Sequence, residues 1–133
     1  MTLFTLEEAR ALLPRLQPML EQLQEAAQEL RKLETMIATQ RRVASGDGNL
    51  LADPFQEGER PTPLDRARQR TQEQLEAINA LGVEVKDPER GLIDFRHERN
   101  GEVVYLCYLL GEPDIQYWHG LEAGFAGRQP LDE

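Results

Sequence analysis

The sequence predicts an α+β protein, in which a long N-terminal helical hairpin precedes a small antiparallel β-meander of three or four strands. Apolar residues before Gly82 recur at gaps of four and three, which is typical of packed helices. After Gly82 the apolar period changes to two, and turn residues separate short apolar runs. A chain of 133 residues is long enough to bury one core, so we expect a single domain over residues 1–133.

The first helix is predicted over residue 5 to about residue 42. Thr5 and Glu8 have the spacing of a capping box, in which each side chain pairs with the other residue's backbone amide. Pro14 and Pro18 each remove an amide donor, which predicts a kink or a short helix followed by a longer one. The apolar seam consists of Ala9, Leu13, Leu16, Leu20, Leu23, Ala27 and Leu30, and continues at Leu33 and Ile37.

Residues 43–61 are predicted to form a flexible loop or a lid, because glycines and prolines are frequent there. Three apolar side chains could anchor this loop, namely Leu50, Leu51 and Phe55. The second helix begins at Thr62 as N-cap, with Pro63 in the first helical position, and it ends at Gly82 in a left-handed cap. The helical hairpin therefore covers residues 5–82.

The remaining residues, 83–133, are predicted to form the meander and a C-terminal tail. Strands are indicated by "VEVK", "LIDFR", "VVYLCYLL" and "IQYW". Asn100-Gly101 lies between the second and third strands and is a strong signal for a two-residue hairpin turn. The alternative for residues 113–123 is a helix that begins at Pro113.

The two predicted helices differ in length, so the second cannot cover the whole apolar seam of the first, and the rest of the seam needs another partner. At 1.5 Å per residue, the first helix spans roughly 55 Å and the second roughly 27 Å. The loop, the sheet or a second copy of the chain could cover the surplus seam. Helical hairpins with surplus apolar seam commonly form four-helix arrangements, so we expect a homodimer.

Charge and cysteine content narrow the class of protein. The chain carries 24 acidic and 15 basic residues, with a net charge of −9, which disfavours binding to nucleic acid or to anionic membranes. No apolar run approaches the roughly 20 residues that span a bilayer, and no signal peptide is recognised, so a cytoplasmic location is expected. The single cysteine, Cys107, excludes an internal disulfide, and its apolar surroundings favour a small buried residue over a nucleophile.

The stretch "YWHGLEAGFAGRQP" at residues 117–130 concentrates the residue types that carry chemistry. His119 and Glu122 have a spacing that places both on one face if the segment is helical, and Asp94 could join them as a metal ligand. Asp94 or Glu112 could complete a set of two histidines and one carboxylate if His97 joined His119. The competing interpretation is structural: His119 bonds locally, and Glu122 pairs with Arg128.

Other site types receive less support. Ser45 is the only serine and lacks a G-x-S-x-G motif, which disfavours a serine hydrolase. Phosphate binding by "GLEAGFAGR" with Arg128 lacks the established glycine-rich motifs. Tyr117 and Trp118 are expected to pack in the core or to grip a protein partner, since both residue types are enriched in binding hot spots.

Three separated segments carry a resemblance to a known family. They are "FTLEEARALLPRLQPML", "VKDPERGLIDFRHERNGEVVYLCYLLGE" and "IQYWHGLEAGFAGRQPL". In this order they resemble a family of small bacterial proteins named domain of unknown function 2203. The resemblance implies a cytoplasmic protein and carries no activity, ligand or catalytic residue.

Together these observations predict a non-enzymatic interaction or regulatory protein that dimerises through its helices and needs no cofactor. The alternative is a metal-binding protein or metal-dependent enzyme that uses His119, Glu122 and Asp94 to hold a divalent ion. A small-molecule sensor with a pocket between sheet and helices is a third hypothesis.

Overall fold

A computed structural model describes residues 2–47 and 61–131, with residues 43–47 described by backbone only. Its elements are α1 Leu6–Asp47, α2 Pro63–Asn79, β1 Glu84–Asp87, β2 Leu92–Arg99, β3 Glu102–Leu109, β4 Tyr117–His119 and β5 Gln129–Pro130. The strands form one antiparallel sheet in the order β1-β2-β3-β4-β5. The predicted α+β class is confirmed, although five strands are present in place of the expected three or four.

Helix α1 begins at the predicted capping box. The Glu8 amide donates to Thr5 Oγ1 at 3.1 Å, and the Thr5 amide donates to Glu8 Oε1 at 2.9 Å. Pro14 and Pro18 lie inside one uninterrupted helix, so the expected division into a short and a longer helix is wrong. Both prolines are exposed and lie one turn apart on the same side of α1, away from the core, where their rings displace no buried side chain.

Helix α2 also begins as predicted, with a capping box between Thr62 and Asp65. Gly82 follows the helix with φ of 87°, and a Cβ atom there would lie 2.9 Å from the Thr2 side chain. Glycine is therefore required at this position for both its backbone conformation and its size. Helix α1 extends to Asp47, beyond the predicted residue 42. The rest of the predicted loop, with its anchoring residues Leu50, Leu51 and Phe55, falls within residues 48–60, which lie outside the described residues.

The core lies between α1 and one face of the sheet. Gln17 Nε2 donates to the Tyr108 hydroxyl, and Gln24 Nε2 donates to the Glu89 carbonyl, so α1 follows the sheet over several turns. The fully buried apolar residues of this layer are Leu16, Leu20, Leu23, Ile93, Phe95, Leu106 and Ile115. The sheet thus covers the first part of the seam that the sequence left unpartnered.

Helix α2 covers the distal part of that seam. Ion pairs at 3.9 Å connect Arg68 with Glu34 and Arg70 with Glu25, which places α2 antiparallel to α1. Three apolar residues of the distal seam remain only half-buried, namely Leu30, Leu33 and Ile37.

The β2–β3 hairpin sets the register of the sheet. Asn100 and Gly101 have φ of 53° and 81°, as a two-residue turn with both central residues left-handed requires. The pairing that follows places Asp94 opposite Cys107. Residues 113–123 do not form the alternative helix, since β4 begins at Tyr117 and turns follow it.

None of the helices in the described part of the chain has the combination of length and apolar character that a membrane crossing needs.

Candidate functional site

The face of the sheet that lies away from the helices carries polar side chains. Residues that oppose each other on antiparallel strands share a face, so the pairs Asp94–Cys107 and Cys107–Tyr117 form one row across three strands. His119 lies two residues beyond Tyr117 and opposite Tyr105, on the same face. Asp94 and His119 are each 2% exposed and Cys107 is 0% exposed, which is unusual for polar groups on the sheet face opposite to α1 and α2.

Asp94 and His119 form a buried pair. His119 Nε2 lies 3.1 Å from Asp94 Oδ1 and 3.0 Å from Oδ2, and His119 Nδ1 lies 2.8 Å from the Gly120 carbonyl oxygen. A carbonyl oxygen can only accept, so Nδ1 must carry a hydrogen. One further proton is then shared between Nε2 and the carboxylate, and the pair is neutral overall whichever partner holds that proton.

Cys107 completes this cluster. Asp94, Cys107 and His119 each offer a ligand atom, and the three atoms lie within 4.8 Å of one another. Burial and, after it, the charge of Asp94 raise the pKa of the Cys107 thiol to about 12. Burial also raises the pKa of Asp94, although the charge and hydrogen bond of His119 oppose the shift. A thiol with such a pKa is no nucleophile at neutral pH, and His119 Nδ1 already faces a carbonyl, so the geometry does not support a cysteine–histidine catalytic pair.

An aromatic and ionic layer borders the cluster near β5. Arg128 Nη2 donates to Glu112 Oε1 at 2.6 Å and to the Cys107 carbonyl oxygen at 3.4 Å. The guanidinium of Arg128 lies 4.0 Å from the centre of the Tyr117 ring and 4.7 Å from that of Phe125. Arg128 therefore ties the C-terminal segment to β3 and to the aromatic rings beside the cluster.

A second polar layer borders the cluster near β1. Glu84 accepts hydrogen bonds from Arg96 Nε at 2.7 Å, Lys86 Nζ at 3.0 Å and the Tyr105 hydroxyl at 2.9 Å. Burial acts to raise the pKa of Glu84, but these hydrogen bonds outweigh it, and the pKa is lowered. The Tyr105 ring lies 5.4 Å from that of His119 and separates the Glu84 ion-pair group from the buried cluster.

The match to known families covers both the helices and this sheet. A family model described as an uncharacterized conserved protein, DUF2203, matches residues 2–131. The chain belongs to the DUF2203 family. Searches of curated proteins and of solved structures found no match. The DUF2203 description includes no activity, so a function for the chain must be argued from its site.

The structure unites only some of the residues that the sequence suggested for this DUF2203 chain. Asp94 and His119 are in contact, as proposed. Glu122 is exposed in the turn after β4 and is not part of the cluster, because the His-x-x-Glu spacing converges only on a helix. Arg128 pairs with Glu112, in place of the expected Glu122. His97 lies on the helix-facing side of β2, where its Nδ1 is 2.7 Å from the Phe4 carbonyl oxygen.

The two adjacent aromatics of β4 point to opposite faces of the sheet. Tyr117 shares the outer face with Cys107 and lies beneath Arg128. Trp118 pairs with Leu106 in the register and packs at the edge of the core, with the Arg99 guanidinium 4.8 Å from its ring centre. Neighbouring strand residues alternate in direction, so the two rings do not form a joint aromatic surface for a partner.

Sequence reasoning overlooked Cys107 as a member of the site. The signal was the Asn100-Gly101 turn: in a two-residue hairpin, residues equally distant from the turn oppose each other. Asp94 and Cys107 each lie six residues from the nearer turn residue. The strand around Cys107 is apolar on both faces, which favours a core position in the sequence, and this pattern hides a side chain that faces a carboxylate.

Proposed function

We propose that the chain is a metal-binding protein that holds one Zn²⁺ ion through Asp94, Cys107 and His119. The observation that carries this proposal is the convergence of a carboxylate, a thiol and an imidazole within 4.8 Å in a buried position. These are the three ligand types that Zn²⁺ binds in proteins, whereas Mg²⁺ and Ca²⁺ prefer sites built from oxygen alone. A tetrahedral site with bonds of about 2.0–2.3 Å separates ligand atoms by roughly 3.3–3.7 Å, so small side-chain movements suffice.

The surroundings of His119 favour the same ion. Histidines that bind metal through one nitrogen almost always donate the other N–H to a carboxylate, a backbone carbonyl or water. The Nδ1 hydrogen bond to the Gly120 carbonyl leaves Nε2 directed at Asp94, in the orientation that a ligand requires.

Charge balance supports a doubly charged ion. Without metal, the cluster holds the thiol proton and the proton shared by Asp94 and His119, and it is neutral. A Zn²⁺ ion that replaces these two protons leaves the cluster neutral again, so binding adds no net charge to a buried site. We expect the release of about two protons per Zn²⁺ at neutral pH, which a weakly buffered calorimetric or indicator titration measures.

The decisive experiment is a Zn²⁺ titration of tag-free protein that has been treated with chelator and kept reduced. We expect one ion per chain, and at least about 100-fold weaker binding in Cys107→Ser, which removes the thiolate but leaves Asp94 paired with His119. Co²⁺ provides a second readout, because a thiolate ligand produces a charge-transfer band that Cys107→Ser should lack. Glu122→Gln is the matched control and should bind Zn²⁺ as the wild type does. Wild-type protein without Zn²⁺ affinity, or equal affinity in Cys107→Ser, would contradict the proposal.

As a second candidate we propose that the chain interacts with a second copy through the α1–α2 hairpin. The supporting observation is the half-buried distal seam, formed by Leu30, Leu33 and Ile37, with Met36 on its flank at 44% exposure. The charges on α2 favour an antiparallel arrangement of the two copies. The first half of α2 carries Arg66, Arg68 and Arg70, and its second half carries Glu73 and Glu76, so a reversed copy places opposite charges together.

Light scattering or sedimentation at micromolar concentration tests this self-association. We expect twice the mass of the chain, and at least about tenfold weaker association in Met36→Glu, because that change places a carboxylate beside the seam. Thr35→Glu is the control, since this exposed residue lies on the side of α1 away from the seam. A wild-type protein with the mass of one chain, or equal association of both variants, would refute the proposal.

A further inference from the structure

The segment that follows His119 is the flap, which we define as residues 120–128. It joins β4 to β5, which pair with each other as neighbouring antiparallel strands. The flap lies over the outer face of the sheet, since Phe125 contacts Arg90 in the turn between β1 and β2, on the far side of β3. Residues 121–126 are exposed, whereas Asp94, Cys107 and His119 are buried, so the flap is a single layer of chain at the protein surface.

Three backbone hydrogen bonds within the flap each join residues three positions apart. The Ala123 amide donates to the Gly120 carbonyl at 3.2 Å, the Gly127 amide to the Gly124 carbonyl at 3.0 Å, and the Arg128 amide to the Phe125 carbonyl at 3.2 Å. These bonds stay intact if the segment moves as a unit. Gly124 has φ of 64°, a conformation that glycine adopts without strain.

The Phe125 ring connects the flap to the body of the protein. Its centre lies 4.7 Å from the Arg90 guanidinium and 4.7 Å from that of Arg128. Arg128 belongs to the anchored end of the flap, through its hydrogen bond to Glu112. Among the described contacts, the one between Phe125 and Arg90 joins the flap to the turn between β1 and β2, and an exposed cation–π contact is weak enough to break and re-form readily.

We propose that the flap regulates access to the cluster, and that the contact between Phe125 and Arg90 is the latch that keeps it closed. The role that we assign to flap opening rests on the proposed metal site, because a buried ion needs a path in and out. The opening itself is independent of metal, since the same movement exposes the thiol of Cys107. With the latch broken, the open state is more populated, and both ion exchange and thiol modification become faster.

Cys107 is the chain's only cysteine, so its reaction with Ellman's reagent reports opening at this one place. The thiolate attacks the reagent disulfide and releases one coloured thionitrobenzoate per chain. In metal-free protein at fixed pH we expect slow modification of the wild type and about fivefold faster modification in Phe125→Ala and in Arg90→Gln. Leu121→Ala is the matched control, because Leu121 is an exposed residue of the flap outside the latch, and its rate should equal that of the wild type.

A urea series separates flap opening from unfolding of the whole chain. Local opening exposes little surface, so the modification rate should change little at low urea. Equal rates in Phe125→Ala and wild type, or a wild-type rate that rises with urea as steeply as global unfolding, would overturn the latch.

The second readout is the transfer of Zn²⁺ from loaded protein to excess chelator, which should also be about fivefold faster in Phe125→Ala. Accelerated thiol modification in a protein that binds no Zn²⁺ supports the flap and contradicts the metal site, so the two failures are distinguishable.

Discussion

Replacement of Asp94 by Ala should lower the free energy of unfolding by about 3 kcal/mol in metal-free protein. The change leaves His119 Nε2 buried without its side-chain partner, since Asp94 and His119 are both 2% exposed. Nδ1 remains tied to the Gly120 carbonyl, so the ring cannot turn to satisfy Nε2 without loss of that bond. Urea denaturation followed by circular dichroism, with chelator present, measures the difference.

Asp94→Asn is the matched control for this prediction. The asparagine amide has nearly the same size and can donate a hydrogen bond to Nε2 of a neutral imidazole, so we expect a loss of only about 1 kcal/mol. Equal losses in both variants would mean that the charge of the carboxylate, and not the hydrogen bond, stabilises the pair. A loss well below 1 kcal/mol in Asp94→Ala would contradict the burial on which the site is built.

Replacement of Phe95 by Ala should destabilise the protein by about 4 kcal/mol, because it removes a large side chain from the centre of the core. Phe95 is 0% exposed, and its ring meets that of Phe4 at an angle of 84° with 5.4 Å between centres. Phe125→Ala is the same chemical change at a position with 36% exposure, and we expect it to cost less than about 1 kcal/mol. The two variants are compared by urea denaturation. Similar losses at both positions would mean that Phe125 is a structural residue, and this result would weaken its assignment as a latch.

The architecture could be predicted where local signals are strong. Thr5, Thr62 and Gly82 mark helix ends through capping chemistry that depends on only a few neighbouring residues. Asn100-Gly101 determines the central hairpin through left-handed backbone angles. The uninterrupted α1 was beyond such reasoning, because the effect of Pro14 and Pro18 depends on which side of the helix meets the sheet.

The C-terminal region was less predictable because its structure depends on tertiary contacts. β5 has two residues, one of them proline, and its pairing with β4 leaves no alternating pattern in the sequence. The pairing of Arg128 with Glu112 joins residues on different elements, and nothing in the chain near Arg128 distinguishes Glu112 from Glu122. In the candidate site, Asp94 and His119 were recognisable as isolated polar residues, whereas Cys107 required the strand register.

The order of the strands along the chain has a consequence for synthesis and folding. Each strand of the sheet pairs with its neighbour in sequence, so pairing can proceed from β1 onward as the chain emerges. The β2–β3 hairpin brings Asp94 and Cys107 together early, but His119 and the flap follow later in the chain. A chain that is still being synthesised therefore holds the Cys107 thiol beside Asp94 before His119 and the flap can dock, and we expect Cys107 to be more accessible to oxidants during this interval than in the folded protein, where it is 0% exposed.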